Sequence, residues 1–168
     1  MIFIRARKVI TWALAATTNM MVSNIIGQGK QHEVWGLLNK MIRISSGLIL
    51  VLMLVVNLVP RFILSIYGQD GAFMELAIPV LRIVSLAMVL HSFSVIFLFA
   101  VTGSGNTRIT LAIEFFAIIM YSIYVYLVLD KYFLSITYGW MSEWLYWTCM
   151  FVPSFIYMRS GRWKNKVV

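Results

Sequence analysis

Five long apolar runs punctuate the chain, separated by short polar or charged stretches. The first, from Val9 to about Ile26, is the most interrupted: Thr17, Thr18, Asn19, Ser23 and Asn24 leave only part of its circumference apolar. Such a helix is expected inside a bundle, its hydroxyls and amides bonded across helices rather than facing lipid. The second, Ile44 to Pro60, is 17 uncharged residues between Arg43 and Arg61. The third, Ile83 to Thr107, is 25 uncharged residues. As a helix it would reach about 37 Å, enough to cross a hydrocarbon core of ~30 Å with tilt. The fourth, Ile109 to Leu129, holds one acid, Glu114, and the fifth, Thr137 to Met158, holds Glu143. Pro153 is predicted to kink the fifth, because a proline removes one helical hydrogen bond. Before the second run, Glu33–Arg43 reads as a short amphipathic lead-in, with Val34, Leu37, Leu38, Met41 and Ile42 opposing Glu33, Asn39, Lys40 and Arg43. A lead-in of that type is expected to lie at the membrane surface.

Composition turns these runs into membrane spans. The 168 residues are 61% apolar and only 12% charged, with a mean hydropathy of +0.87. A soluble domain of this size cannot hide so much apolar surface, and a disordered or collagen-like chain would not carry it. No strand-like alternation points to a β-barrel, and helices are the other way to satisfy backbone groups in lipid. The predicted fold is an all-α polytopic membrane bundle of about five transmembrane helices over residues 9–158. An N-terminal extension, residues 1–8, precedes it, and a basic tail, 159–168, follows.

The 14 Lys and Arg against 6 Asp and Glu sit between the runs, as in loops flanking spans, rather than on one patch; a lipid bilayer is the expected partner and nucleic acid is not. With five spans, eight cations fall on the side of the tail and six on the other, which predicts a cytoplasmic C-terminus. Tyr124, Tyr126, Tyr132, Tyr138, Trp140 and Trp144 gather around the fourth connection, as an interfacial belt on the opposite face would. Arg5, Arg7 and Lys8 ahead of an apolar run have the outline of a signal peptide. Thr11, Trp12 and the Thr17–Asn19 cluster dilute that run, and a bundle helix is the expected reading. Cys149 is the single cysteine, which excludes an intrachain disulfide and C-x-x-C metal or redox spacing.

Three ionisable residues inside the runs carry candidate chemistry. His91 lies mid-run with Ala87 and Ser94 on one face, a small and polar stripe on a greasy helix. A histidine there is a candidate lumen or proton-relay group, or a neutral imidazole bonded to a neighbouring helix. Glu114 shares a face with Thr110, Ala117, Tyr121 and Tyr124, and would be protonated, paired with a cation or part of a polar lumen. Glu143 sits among Trp140, Trp144, Tyr146 and Trp147, as a lumen candidate or an interfacial acid between aromatic anchors. No nucleophile–base–acid set or metal-ligand spacing is visible, so neither catalysis nor a cofactor is expected.

Two glycine motifs stand between runs: Gly27-Gln28-Gly29-Lys30 and Gly103-Ser104-Gly105-Asn106-Thr107-Arg108. Neither satisfies a phosphate-loop or dinucleotide pattern. Both read as tight turns in which glycine permits positive φ, Asn106 or Thr107 caps the next helix and Arg108 reaches lipid headgroups. Val22–Lys30, followed by the lead-in and the second run, resembles the end of a helix in multidrug and toxic compound extrusion (MATE) transporters, where a glycine-bearing cytoplasmic loop recurs in each half. Val101–Arg108 resembles the family's second such turn. Met141–Trp147 and the final Trp163-Lys164 are similar to the C-terminal end of bacterial members.

That resemblance, over roughly residues 11–168, implies an antiporter of the bacterial inner membrane that exports cationic or amphipathic compounds in exchange for Na⁺ or H⁺. Members have twelve helices in two bundles, and the runs here correspond to helices eight to twelve. Residues 1–8 do not resemble the family; without their three cations the count becomes eight against three. The acidic coupling residues of the family lie in its first, seventh and tenth helices. The first two have no counterpart here and the third run, standing for the tenth, has no carboxylate. The implied role is therefore the C-terminal part of an efflux antiporter that needs a second chain, or further helices, to transport. The alternatives are a non-transporting membrane fragment or subunit, a lipid-linked oligosaccharide flippase of the same superfamily, and a lipid-modifying enzyme using His91 with Glu114.

Overall fold

The computed structural model describes residues 2–65 and 71–165. Met1 and Lys166–Val168, at the tips of the expected extension and tail, lie outside the described residues, as do the side chains of Arg5, Arg7 and Lys8. Every regular element among the described residues is helical, as the apolar runs predict.

Helix α1, Ile2–Gly27, runs unbroken from the extension through the first apolar run. A 3₁₀ turn, Gln31–Glu33, leads into α2, Val34–Leu58. The lead-in is thus not a separate helix but the N-terminal part of α2, up to Arg43. Val34, Leu38, Met41, Ser45 and Ile49 form one buried stripe along it, and their spacing of three and four carries straight across Arg43. Arg43 lies on the exposed side of that helix, and an exposed charge does not break one. A short α3, Pro60–Ser65, follows.

Helix α4, Gly71–Gly103, starts 12 residues earlier than the third apolar run. Glu75, Pro79 and Arg82, which mark a boundary in the sequence, fall at spacings of four and three on one exposed stripe, so the helix carries them without burying charge. At 33 residues it is about 50 Å long. Helix α5, Thr107–Val125, continues into a π-helical turn, Tyr126–Lys131. The fifth run is divided into a short α6, Ile136–Trp140, and α7, Ser142–Ser160, which passes through Pro153 without ending. A final 3₁₀ turn spans Arg162–Asn165.

Helix α4 is the hub: it packs against α1 and α2 on one side and α7 on the other, with α5 laid chiefly on α7. Of its 18 most apolar consecutive residues 56% are buried, against 17% for α2 and for α5 with its π-turn. These three are long and apolar enough to cross a membrane. The 26-residue α1 and the 19-residue α7 have the length of a crossing, about 39 and 28 Å, but dilute it with Thr, Asn, Tyr and Trp.

Among the described side chains, interhelical polar bonds gather on the hub, whereas the sequence suggests α1. Ser92 on α4 donates to Ser45 on α2 at 2.8 Å, and the Asn57 amide of α2 donates to Ser85 of α4 at 2.8 Å. Thr102 and Thr110 join α4 to α5 at 3.0 Å. Thr17 and Thr18 instead close onto the carbonyls of Ala13 and Leu14 in their own helix. Each interhelical bond of this kind contributes about 0.6 kcal/mol in lipid, because the separated helices find other partners. Close packing supplies the rest. The main core joins Val22 and Ile26 of α1, Leu38 of α2, and Ile96, Phe97 and Val101 of α4 at one end of the bundle. Phe97, Phe151 and Phe155 stack there with ring centroids 5.3–5.6 Å apart.

Candidate functional site

Both glycine motifs lie at that same end, where α1 and α4 finish and α2 and α5 begin. In the first, Gly29 takes φ +74°, a conformation that costs a side chain energy but not glycine. Lys30 N–H then donates to Ile25 O at 3.0 Å and Gly29 N–H to Ile26 O at 2.9 Å. This pair is the Schellman closure that satisfies the last carbonyls of a helix. Gly105 does the same work at φ +77°, its N–H donating to Thr102 O at 3.0 Å. Arg108 and Thr107 are exposed just beyond it.

Asn106 stands at the N-cap of α5, but its side chain makes no capping bond, contrary to the expectation from the sequence, and Thr107 is already the first helical residue. The Asn106 amide turns back to donate to Ser104 O at 3.0 Å and Ser104 Oγ at 2.9 Å. The start of α5 rests on the Asn106 carbonyl, which accepts from Ile109 and Thr110 N–H. Buried Ser104 holds the amide more favourably than the exposed first turn would, since a buried polar group without a partner is costly.

The glycines differ sharply in what surrounds them. At Gly27 and Gly29 an added Cβ would meet nothing within 4 Å. At buried Gly103 it would lie 2.6 Å from the backbone oxygen of Asn19 and 3.1 Å from its Cα. Gly103 is therefore the point where α1 and α4 touch backbone to backbone, and Asn19 is the residue it admits. This contact ties the second motif to α1 about two turns before the first motif begins.

The three ionisable candidates lie away from the turns, along the α4–α7–α5 contacts. His91 is 8% exposed, and its ring lies 4.1 Å from that of Trp147 on α7. One turn on, the Ser94 hydroxyl is 2.7 Å from both Leu90 O and Trp147 O, one proton shared between two carbonyls. The Ala87–His91–Ser94 stripe is thus the face α4 turns to α7, with all three residues buried. The Trp147 indole N–H donates to Glu143 Oε2 at 2.9 Å. Trp147 therefore links His91 to Glu143, a connection missing from the sequence reading although Glu143 and Trp147 stand at i, i+4.

Glu114 is half-buried on α5. It shares Tyr146 of α7 with Glu143, the phenol lying within electrostatic reach of both carboxylates. Tyr146 contacts the Tyr121 ring at 5.9 Å and the Trp147 ring at 4.8 Å. The ion pair among the described residues joins His32 to Glu33, so a salt bridge does not account for Glu114. No group of three His, Cys, Asp or Glu side chains among the described residues would hold a metal ion.

Long apolar helices with exposed hydrocarbon faces, joined by buried hydroxyl and amide bonds, define an integral membrane helical bundle. The MatE family model matches residues 8–127, a stretch that includes both glycine turns. The chain belongs to the MatE family of membrane transporters. No curated protein and no solved structure matches it. The aromatic stretch 141–147 and the Trp163-Lys164 pair lie outside the matched residues.

Proposed function

We propose that this chain supplies one wall of an antiporter exporting cationic or amphipathic compounds against Na⁺ or H⁺, in a bacterial inner membrane. Its glycine turns and C-terminal tail face the cytoplasm in this reading. The observation that carries it is the family match across both turns, which stand where α1 and α4 finish. His91, Glu143 and Glu114 are the candidate lumen or proton-relay groups, the first two connected through Trp147.

Alternating access needs two bundles rocking around a central site. Two depressions between the described helices, of ≈ 170 and ≈ 290 Å³, are open on one side. The opposing wall therefore comes from other helices, on the same polypeptide or a second chain. Leu48, Val51, Leu54 and Leu58 give α2 an exposed apolar face for lipid or for that contact.

Proteoliposomes test this reading. The purified 168-residue chain is expected to move ethidium down an imposed H⁺ or Na⁺ gradient no faster than empty vesicles. Membrane chains that co-purify with it should restore gradient-driven flux. Exchange by the chain alone would overturn the one-wall reading. Movement of a lipid-linked oligosaccharide, with ethidium left behind, would assign the flippase chemistry instead.

A further inference from the structure

Between α5 and α7, next to the second glycine turn, runs an open groove of ≈ 290 Å³. Its lining is Arg108, Ile109, Ala112, Ile113 and Phe116 of α5, with Pro153 of α7 on the far side. The α5 positions form one continuous helical stripe, spaced by one and four residues. Ala112 is the notch in that stripe: exposed and small, it leaves room between the larger side chains before and after it. From Arg108 to Phe116 the groove follows α5 for about 12 Å. Five of the six lining residues are apolar, and the sixth is an exposed cation at the end where the helix begins. No carboxylate among the described residues pairs with Arg108. α5 with its π-turn is also one of the helices long and apolar enough to span a bilayer, so the groove opens at the depth of the acyl chains with its cation at headgroup level.

We infer that this groove binds one anionic phospholipid, with the phosphate on Arg108 and the first part of an acyl chain lying over Ala112 against Phe116 and Pro153. The polarity of the site fits that ligand in order along its length: charge at the interface, then hydrocarbon. A soluble anion would use Arg108 but not the apolar floor. A protein helix would leave the guanidinium without an anion. Exposed Lys30, Arg159, Arg162 and Lys164 at the same end of the bundle add a diffuse attraction for anionic lipid, but none of them lines this groove. The site does not depend on the transport reading.

The test is native mass spectrometry of the chain released from vesicles of equal phosphatidylglycerol and phosphatidylcholine. The expected result is one retained lipid with a clear preference for phosphatidylglycerol. Arg108→Gln should cut that preference about fivefold, the effect of one interfacial cation. Ala112→Trp should lower retention of both lipids by filling the notch, with helix content unchanged in circular dichroism. Ala112→Leu serves as the milder filling if the tryptophan impairs folding. Lys131→Gln, at the opposite end of α5 and its π-turn, should change neither quantity. Four outcomes overturn the proposal: an unchanged preference in Arg108→Gln, or unchanged retention in Ala112→Trp and Ala112→Leu; full displacement by millimolar inorganic phosphate, which marks a free-anion site; and copy-to-copy cross-linking through Phe116→Cys, which gives the groove to protein.

Discussion

Trp163→Ala should lower the stability of the bundle by about 3–5 kcal/mol, the range for removing a fully buried tryptophan. In the sequence Trp163 stands between Arg162 and Lys164 and reads as part of a basic tail. In the structure it is 0% exposed and belongs to the main core with residues of α1, α2, α4 and α7. The 3₁₀ turn at Arg162–Asn165 follows Gly161, at φ +70°, which reverses the chain after α7. That reversal lets the indole fold back and donate to Met158 O at 2.8 Å. The cations on either side remain exposed, so the tail is basic outside and anchored inside. Trp163→Phe should recover most of the loss, remaining short by about 1–2 kcal/mol for the hydrogen bond and the smaller ring. Thermal unfolding in detergent, read by the retained monodisperse fraction, measures both. A Trp163→Ala chain as stable as the parent would mean that the tail is not docked.

The second large effect is expected at Gly103. Alanine there places a methyl carbon 2.6 Å from the Asn19 carbonyl oxygen. Backbone cannot swing aside as a flexible side chain does, so α1 and α4 must separate. Overpacking of a close contact of this kind costs about 2–3 kcal/mol. Gly29→Ala isolates the other glycine penalty: no atom lies within 4 Å of its Cβ, and the cost is the positive φ alone, about 1 kcal/mol. Gly27→Ala, in the helix proper with open space around it, should instead stabilise by about 0.5–1 kcal/mol. The order Gly103, Gly29, Gly27 in the same unfolding assay distinguishes helix contact from turn conformation. Equal losses at Gly103 and Gly29 would remove the close approach of α1 and α4 as the reason for glycine at 103.

What the sequence made legible was wherever a local pattern has one structural answer. Long uncharged runs gave helices, and Gly105 flanked by two of them gave the turn between α4 and α5. The runs begin later than the helices that carry them wherever a charge interrupts the apolar pattern. Arg43 and Arg82 lie on exposed stripes of continuous helices, so hydropathy along the chain marks the water-facing side of a helix as if it were its end. The polar residues of the first run were assigned to contacts that α2 and α4 make instead. Serine and threonine bond their own preceding carbonyl as readily as a neighbour's, and only packing decides between them. Trp163 is a long-range outcome of the same type, settled by the core it enters with α1, α2 and α4; Asn106 is settled locally, by buried Ser104 two residues before it. For the candidate groups, the Ala87–His91–Ser94 face was readable from helical spacing. That it meets Trp147, and through it Glu143, depends on the register of α4 against α7. Residue spacing within one helix does not encode that register.

The transporter reading requires that all five long helices cross the bilayer and place both glycine turns and the tail on one face. Labelling with a membrane-impermeant maleimide in sealed vesicles measures this, starting from a Cys149→Ala background. Single cysteines at Gln28, Thr107 and Ser160 are expected to react from the cytoplasmic side only, and cysteines at Ser65 and Leu134 from the opposite side only. Labelling of Ser160→Cys on the same side as Leu134→Cys would show that α7 does not cross, and would contradict the account.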